Sequence, residues 1–315
     1  MHKLMRKLVT VFILVGGLLQ GYGQTKPMFS QYMYNMLTLN PSYAGIRNST
    51  SLSGIFRKQW VGIDGAPSTY MASIDSKIKN SNWGWGLQFY DDEIFVEKTT
   101  GLQAYTSLHV PVSFKEDGTT LSIGIGFGAM NYRGDFTRID PNLIQPGDPS
   151  FKDVKGIEPT AGFGALLHTS KWYFGISLPS LLRAQVLTSK QVDVSSLLQY
   201  NEVFATGGYV FGEEDANIKW KPSVLIKMAK GAPLEFDCNV NVWFHDFFSV
   251  GFSYRTGDAI VALLELQASP RFRLGYAYDY TSSQLNSFSR GTHELMLRYE
   301  IGDRGQGVAS SIRYY

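Results

Sequence analysis

Apolar and polar side chains alternate along most of this chain. In residues 234–242, Leu234, Phe236, Cys238, Val240 and Val242 fall on one side, and Glu235, Asp237, Asn239 and Asn241 on the other. Residues 271–280 set Phe272, Leu274, Tyr276, Tyr278 and Tyr280 against Arg271, Arg273, Gly275, Ala277 and Asp279. Leu295, Leu297, Tyr299 and Ile301 alternate with Glu294, Met296, Arg298 and Glu300, while Leu121, Ile123, Ile125, Phe127 and Ala129 alternate with Ser122, Gly124, Gly126 and Gly128. A period of two is the mark of a strand whose two faces meet different surroundings. The pattern predicts fourteen strands, near 51–60, 68–76, 82–91, 97–110, 119–132, 158–168, 171–178, 201–212, 217–228, 233–244, 246–255, 257–267, 270–280 and 291–301. The run 257–267, GDAIVALLELQ, also fits a buried helix.

The connections sort by side. With the N-terminus in the periplasm, the outward loops are 61–67, 92–96, 133–157, 179–200, 229–232, 255–257 and 281–290. The periplasmic turns are 77–81, 111–118, 169–170, 213–216, 245 and 268–269. The three longest connections share one side, and an even strand number returns both ends to the other; bacterial outer-membrane barrels are built this way. Trp83, Trp85, Trp172 and Trp220 open outward strands and Trp243 closes an inward one, so five tryptophans cluster at one interface, although Trp243 breaks the alternation and could face inward. The fold class expected is therefore all-β: a transmembrane antiparallel β-barrel of about 14 strands. In lipid every backbone amide needs an internal partner, and closure supplies it.

Other features fit an exported barrel. His2, Lys3, Arg6 and Lys7 precede an apolar run from Leu8 to Leu19, and small residues lead to Gln24. This is a signal-peptide pattern with cleavage after Gly23; the run is shorter than the roughly 20 residues of a spanning helix. The organisation expected is a leader at 1–23, an N-terminal periplasmic or plug-like segment at 24–50, a barrel at 51–302 and a tail at 303–315. Lys and Arg total 29 against 27 Asp and Glu, and loss of Lys3, Arg6 and Lys7 leaves the mature chain near neutral, with no charge signature of nucleic-acid binding. One cysteine, Cys238, permits no internal disulfide.

FSQYMYNMLTLNPSYAG, residues 29–45, has neither period. Fourteen strands enclose more space than wall side chains fill, and the row Ser122, Gly124, Gly126 and Gly128 leaves one wall nearly bare, open to close approach by another chain. Phe29, Ser30, Gln31, Tyr32, Asn40, Pro41, Tyr43 and Gly45 are thus candidates for a segment that enters the barrel mouth or lumen; packing beneath the periplasmic rim is the alternative. QWVGIDGAP, residues 59–67, places turn residues Gly62, Asp64, Gly65 and Pro67 beside apolar Trp60, Val61 and Ile63 in an outward loop, which either folds back on the barrel or meets a partner.

Signals for chemistry are weak. The five histidines show no metal-ligand spacing, Gly124, Gly126 and Ala129 match a loose dinucleotide pattern with no helix after it, and Asp91–Glu93 reads as a solvated acidic loop. Glu235 and Asp237 read as wall residues. No catalytic, metal or cofactor site is expected.

FSQYMYNMLTLNPSYAG followed by SLSGIFRKQWVGIDGAPSTYMASID resembles the opening of the PorP/SprF family of Bacteroidota outer-membrane proteins, with Ser42 where alanine is common. The resemblance is specific over residues 29–75 and continues through the final ELMLRYEIG strand. It implies a non-enzymatic part in type IX secretion, in some members with gliding motility. The implied partners are outer-membrane lipid, secreted cargo such as adhesins bearing a C-terminal sorting domain, and periplasmic secretion-system components. Periodicity alone leaves open a passive porin or hydrophobic-molecule channel.

Overall fold

The computed structural model describes residues 28–47, 49–112, 118–136, 154–183, 202–213, 215–229 and 232–302. The leader 1–23, the tail 303–315 and most of the connections expected at 133–157 and 179–200 lie outside the described residues.

Fourteen antiparallel strands close into one barrel, each bonded to its sequence neighbours and the last to the first. They are β1 (Thr50–Lys58), β2 (Ser68–Lys77), β3 (Trp83–Ile94), β4 (Glu97–Pro111), β5 (Thr120–Gly134), β6 (Val154–His168), β7 (Trp172–Arg183), β8 (Glu202–Tyr209), β9 (Ile218–Ala229), β10 (Glu235–Phe244), β11 (Phe248–Arg255), β12 (Ala259–Ser269), β13 (Phe272–Thr281) and β14 (Thr292–Ile301). Closure runs through the Thr50↔Ile301 to Lys58↔His293 register of β1 and β14, so no edge strand is left with unpaired amides. Among the described residues no helix is long and apolar enough to cross a membrane; the crossing elements are strands.

Side chains follow the pleat. On β14, Leu295 and Leu297 are exposed on the outer face, while Glu294, Met296 and Arg298 are buried inside. Ser122 is buried between exposed Ile123 and its outward neighbours on β5. The ambiguous run 257–267 is β12, not a helix. It is apolar on both faces because Val261 and Leu263 point inward into an apolar cluster shared with Phe29, Tyr32 and Met33 rather than into water. The outer face carries an apolar hollow of about 780 Å³ beside Gly54, Phe56, Tyr70 and Leu297.

Strands β1 and β14 place both ends of the barrel at one rim, called here the terminal rim. The connections 59–67, 135–153, 184–201 and 282–291 all leave the far rim. Several expected boundaries move there. Strands β4, β5 and β6 each span 15 residues, beyond the roughly 9–11 that cross a bilayer. Residues 154–157, expected in a loop, pair with Gly134 to Asn131, so this wall rises above the far rim. The expected acidic loop 92–96 is mostly strand, because β3 and β4 zip up to the pair Ile94↔Glu97 and leave only Phe95 and Val96 to turn. Lys98 holds Asp91 at 2.8 Å, Thr100 donates to Asp91 at 2.6 Å, and Thr69 donates to Asp92 at 2.6 Å, so those carboxylates pair across strands. At the terminal rim, Trp83, Trp85 and Trp220 are exposed, and Trp172 is half-buried on the same outer face. Trp243 departs from the girdle and points into the lumen, 3% exposed.

Candidate functional site: the filled lumen

The lumen is occupied by the chain's own residues 28–47. They form three short 3-10 turns, Tyr32–Tyr34, Met36–Thr38 and Pro41–Tyr43. Nearly all are buried, including Gln31, Met33 and Ser42 at 0–1% exposure. Hydrogen bonds run from this segment to walls on every side, which fixes it within the barrel rather than beneath it.

Three groups of contacts hold it. First, Glu294 on β14 accepts the backbone N–H of Ser30 at 2.9 Å and of Gln31 at 2.8 Å. Ser30 Oγ donates to Asp279 on β13 at 2.7 Å. Arg57 on β1 binds Glu294 at 3.0 Å, Asp279 at 2.9 Å and Ser30 Oγ at 2.8 Å. One guanidinium thus ties two wall carboxylates to the segment, with all three charges buried. Gly275 on β13 lies so close to Gln31 Oε1 that a Cβ there would overlap it.

Second, two tyrosines reach β10 and β11. Asn239 Nδ2 donates to Tyr32 Oη at 2.5 Å, and Tyr34 Oη donates to Asn241 Oδ1 at 3.1 Å, with Ser249 Oγ 3.3 Å away. Burial, reinforced by nearby carboxylates (Asp237 for Tyr32, Glu265 for Tyr34), pushes both phenols well above the usual tyrosine range. Across the lumen, Asn35 Nδ2 donates to Ser73 Oγ on β2 at 3.0 Å.

Third, NPSYAG is fitted to β2–β7. Asn40 caps the turn that follows: its Oδ1 accepts from Ser42 N at 2.9 Å and Ser42 Oγ at 2.6 Å, and Pro41 occupies the first helical position, where a missing N–H costs nothing. Asn40 Nδ2 donates to the Ala165 carbonyl at 3.2 Å, and Ser177 Oγ donates to the Leu39 carbonyl at 2.7 Å. Ser107 Oγ donates to the Ala44 carbonyl at 2.5 Å, with His109 Nε2 at 3.1 Å from the same oxygen. Gly45, at φ +66°, gives its N–H to Asp75 at 3.1 Å and is pressed against Ser76 and Gly84. Tyr43 is buried. The bare stretch of wall has its use here: a Cβ at Gly124 would strike Pro41, one at Gly164 would strike Asn40, and one at Gly84 would strike Ala44. Gly126 does not face the segment; it clears the ring of Tyr105.

The loop candidates sit apart, on the far rim. Val61 N–H donates to the Gly291 carbonyl at 2.9 Å, Arg290 N–H returns to Val61 O at 2.7 Å, and Phe95 N–H reaches Gly65 O at 2.9 Å. Trp60, Gly62 and Gly65 have positive φ. The loop is stitched to its neighbours: Pro67 is buried, Trp60 and Val61 are half-buried, and Gly62 and Asp64 are exposed. The structure does not bring Trp60, Val61, Gly62, Asp64, Gly65 or Pro67 together with residues 29–45. The groups missed by sequence reading are Arg57, Asp279, Glu294, Ser107 and Ser177. Their only signal was a polar inward position on a strand, shared with many residues.

The architecture is that of an outer-membrane β-barrel filled by an N-terminal segment of its own chain. The chain belongs to the family described as type IX secretion system membrane protein PorP/SprF, whose model matches residues 22–299. No curated protein matches it. Similar solved structures include the outer membrane protein Omp33 of Acinetobacter baumannii, at 11% identity over 82% of this chain and 100% of that chain, TM-score 0.46. The Ralstonia pickettii toluene transporter TbuX is 8% identical over 90% of this chain and 96% of that chain, TM-score 0.48. A Pseudomonas aeruginosa FadL homologue is 12% identical over 89% and 96%, TM-score 0.44.

Proposed function

We propose that this barrel assists the secretion or surface anchoring of type IX cargo such as adhesins carrying a C-terminal sorting domain, with a contribution to gliding motility. The role is non-enzymatic. The leader at 1–23 is removed after export across the inner membrane, and the far rim is the outward one. There the connection 59–67, with Trp60 and Val61, and those within 133–157 and 179–200 meet cargo. Residues 28–47 act as a plug that keeps the lumen from being an open pore, and their terminal-rim side faces periplasmic secretion components.

The family match over residues 22–299 carries this reading. The filled lumen supports it against a diffusion pore, since wall carboxylates and glycines are committed to holding the segment. The test is affinity purification of the tagged protein from its native outer membrane, with parallel deletion of the gene. An exported protein with a C-terminal sorting domain should co-elute, and the deletion should strip it from the cell surface. Recovery of the barrel alone, with secretion unchanged in the deletion, overturns the proposal.

A further inference from the structure

The lipid face of the barrel is notched beside its closing seam. Across β14, β1, β2 and β3 the register sets Leu297, Gly54, Ala72 and Phe89 side by side on the outer face. The middle two carry no side chain or a single methyl, so the wall drops between its large apolar neighbours. This is the floor of the apolar hollow of about 780 Å³. Gly124 and Gly164 are bare because the plug passes over them. Gly54 is not: a Cβ there would meet nothing nearer than the Met71 carbonyl oxygen, at 3.9 Å. The space that this glycine opens lies outside the barrel.

The hollow has a polar end. One row nearer the far rim stand Leu295, Phe56, Tyr70 and Asp91, and beyond them Lys58, Ser68 and Glu93. Lys58, Ser68, Asp91 and Glu93 line a second hollow of about 310 Å³, and Tyr70 borders both. Lys58 donates to Ser68 Oγ at 2.7 Å and to the Ala66 carbonyl at 3.3 Å, and has no carboxylate within ion-pair distance among the described residues. Its ammonium has three protons to give. The Tyr70 hydroxyl makes no hydrogen bond among the described residues. On the opposite side Lys98 and Thr100 fix Asp91 at 2.8 and 2.6 Å. The seat therefore carries both signs, an ammonium on β1 and carboxylates on β3, two strand spacings or about 10 Å apart.

An unfilled apolar void forfeits dispersion contacts on every side, so at hydrocarbon depth this hollow takes a chain that fits it. A charged seat at the end of an apolar hollow matches an amphiphile, with its tail in the hydrocarbon and its head at the interface. A head bearing phosphate alone would meet the carboxylates as well as the ammonium. A head with a phosphate and a primary amine answers both with charge-assisted hydrogen bonds. We infer that the notch binds one zwitterionic aminophospholipid, with an acyl chain over Gly54 and Ala72, the phosphate on Lys58 and Tyr70, and the amine toward Asp91 and Glu93. A quaternary ammonium head has no N–H to donate and a glycerol head has no cation, so both are bound more weakly.

The experiment is native mass spectrometry of the purified full chain in a non-ionic detergent, titrated in turn with phosphatidylethanolamine, phosphatidylcholine and phosphatidylglycerol. The wild-type barrel should retain one phosphatidylethanolamine at least tenfold more strongly than either of the others. Gly54→Leu fills the notch and should lower that retention at least tenfold; Lys58→Gln should lower it severalfold. Val240→Leu, on the outer face of β10 away from the hollow, should leave it unchanged. The shift between folded and heat-unfolded bands on a gel identifies folded barrels, and should Gly54→Leu fail that check, Ala72→Leu on the neighbouring strand takes its place. Retention equal in wild type and the folded notch variants overturns the inference, as does equal retention of the three lipids. A wild-type dimer that Gly54→Leu converts to monomer also overturns it, because a second copy would then fill the hollow.

Discussion

Glu294 does at the residue scale what a helix cap does elsewhere: its two oxygens receive two consecutive backbone N–H groups, of Ser30 and Gln31. Because Arg57 is buried against it, removing the carboxylate leaves two amides unanswered and takes from Arg57 one of its two carboxylate partners, Asp279 being the other. Breaking such a buried pair costs about 3–5 kcal/mol. Glu294→Ala should therefore lower the midpoint of urea unfolding, followed by tryptophan fluorescence, by an amount of that order, while Glu294→Gln, which keeps one acceptor, should cost less. The buried phenols of Tyr32 and Tyr34 make a second prediction. Their protonated forms are favoured in the folded barrel, so stability is complete below the ordinary tyrosine pKa of about 10. It falls as pH rises past that value, where the unfolded chain loses protons that the folded chain keeps. Tyr34→Phe should show a shallower alkaline decline than wild type in the same unfolding assay; an identical decline would remove Tyr34 from this account. Residues such as Phe29, Tyr32 and Pro41 stood out in the sequence because they broke every period. Glu294 and Arg57 did not, since a polar inward residue on a barrel strand reads the same whether it faces water or a plug.

At the scale of elements, the plug and the wall are shaped to each other. Gly124 and Gly164 open a path for residues 40–42, and Gly84 another for Ala44. Valine at both Gly124 and Gly164 should push residues 40–44 off the wall while leaving the ladder between β5 and β6 intact. A cysteine at Ser42, which is 0% exposed, reports this. In a Cys238→Ser background it should resist a water-soluble maleimide, and it should react at least tenfold faster once the two valines are present. Equal protection in both would mean that the glycines do not set the plug's seat. The strands themselves were legible, because lipid outside and polar or small residues inside enforce the alternation. Their far-rim ends were less so. Asp91–Glu93 looked like loop, yet pairing with Lys98 and Thr100 keeps it in the ladder. The doubly apolar β12 looked helical because the plug supplies an apolar neighbour on its inner face.

At the scale of the molecule, an even number of strands, a closed ladder and a filled lumen combine into one object: a membrane wall with a floor made from its own N-terminal segment. The sequence pattern carried the barrel and the sorting of its connections by side. It left open whether residues 29–45 lay inside the barrel or beneath it, since their placement depends on contacts with strands as distant in the chain as β14. The proposed role in secretion requires that the wall does not leak while cargo is handled at the far rim. Planar-bilayer recording tests this most directly, comparing the mature full chain with a chain lacking residues 28–47. The full chain should give no steady conductance, and the shortened barrel, confirmed as folded by its gel shift on heating, should give stable ion-conducting steps. Steady channels of equal size from both proteins would contradict the account.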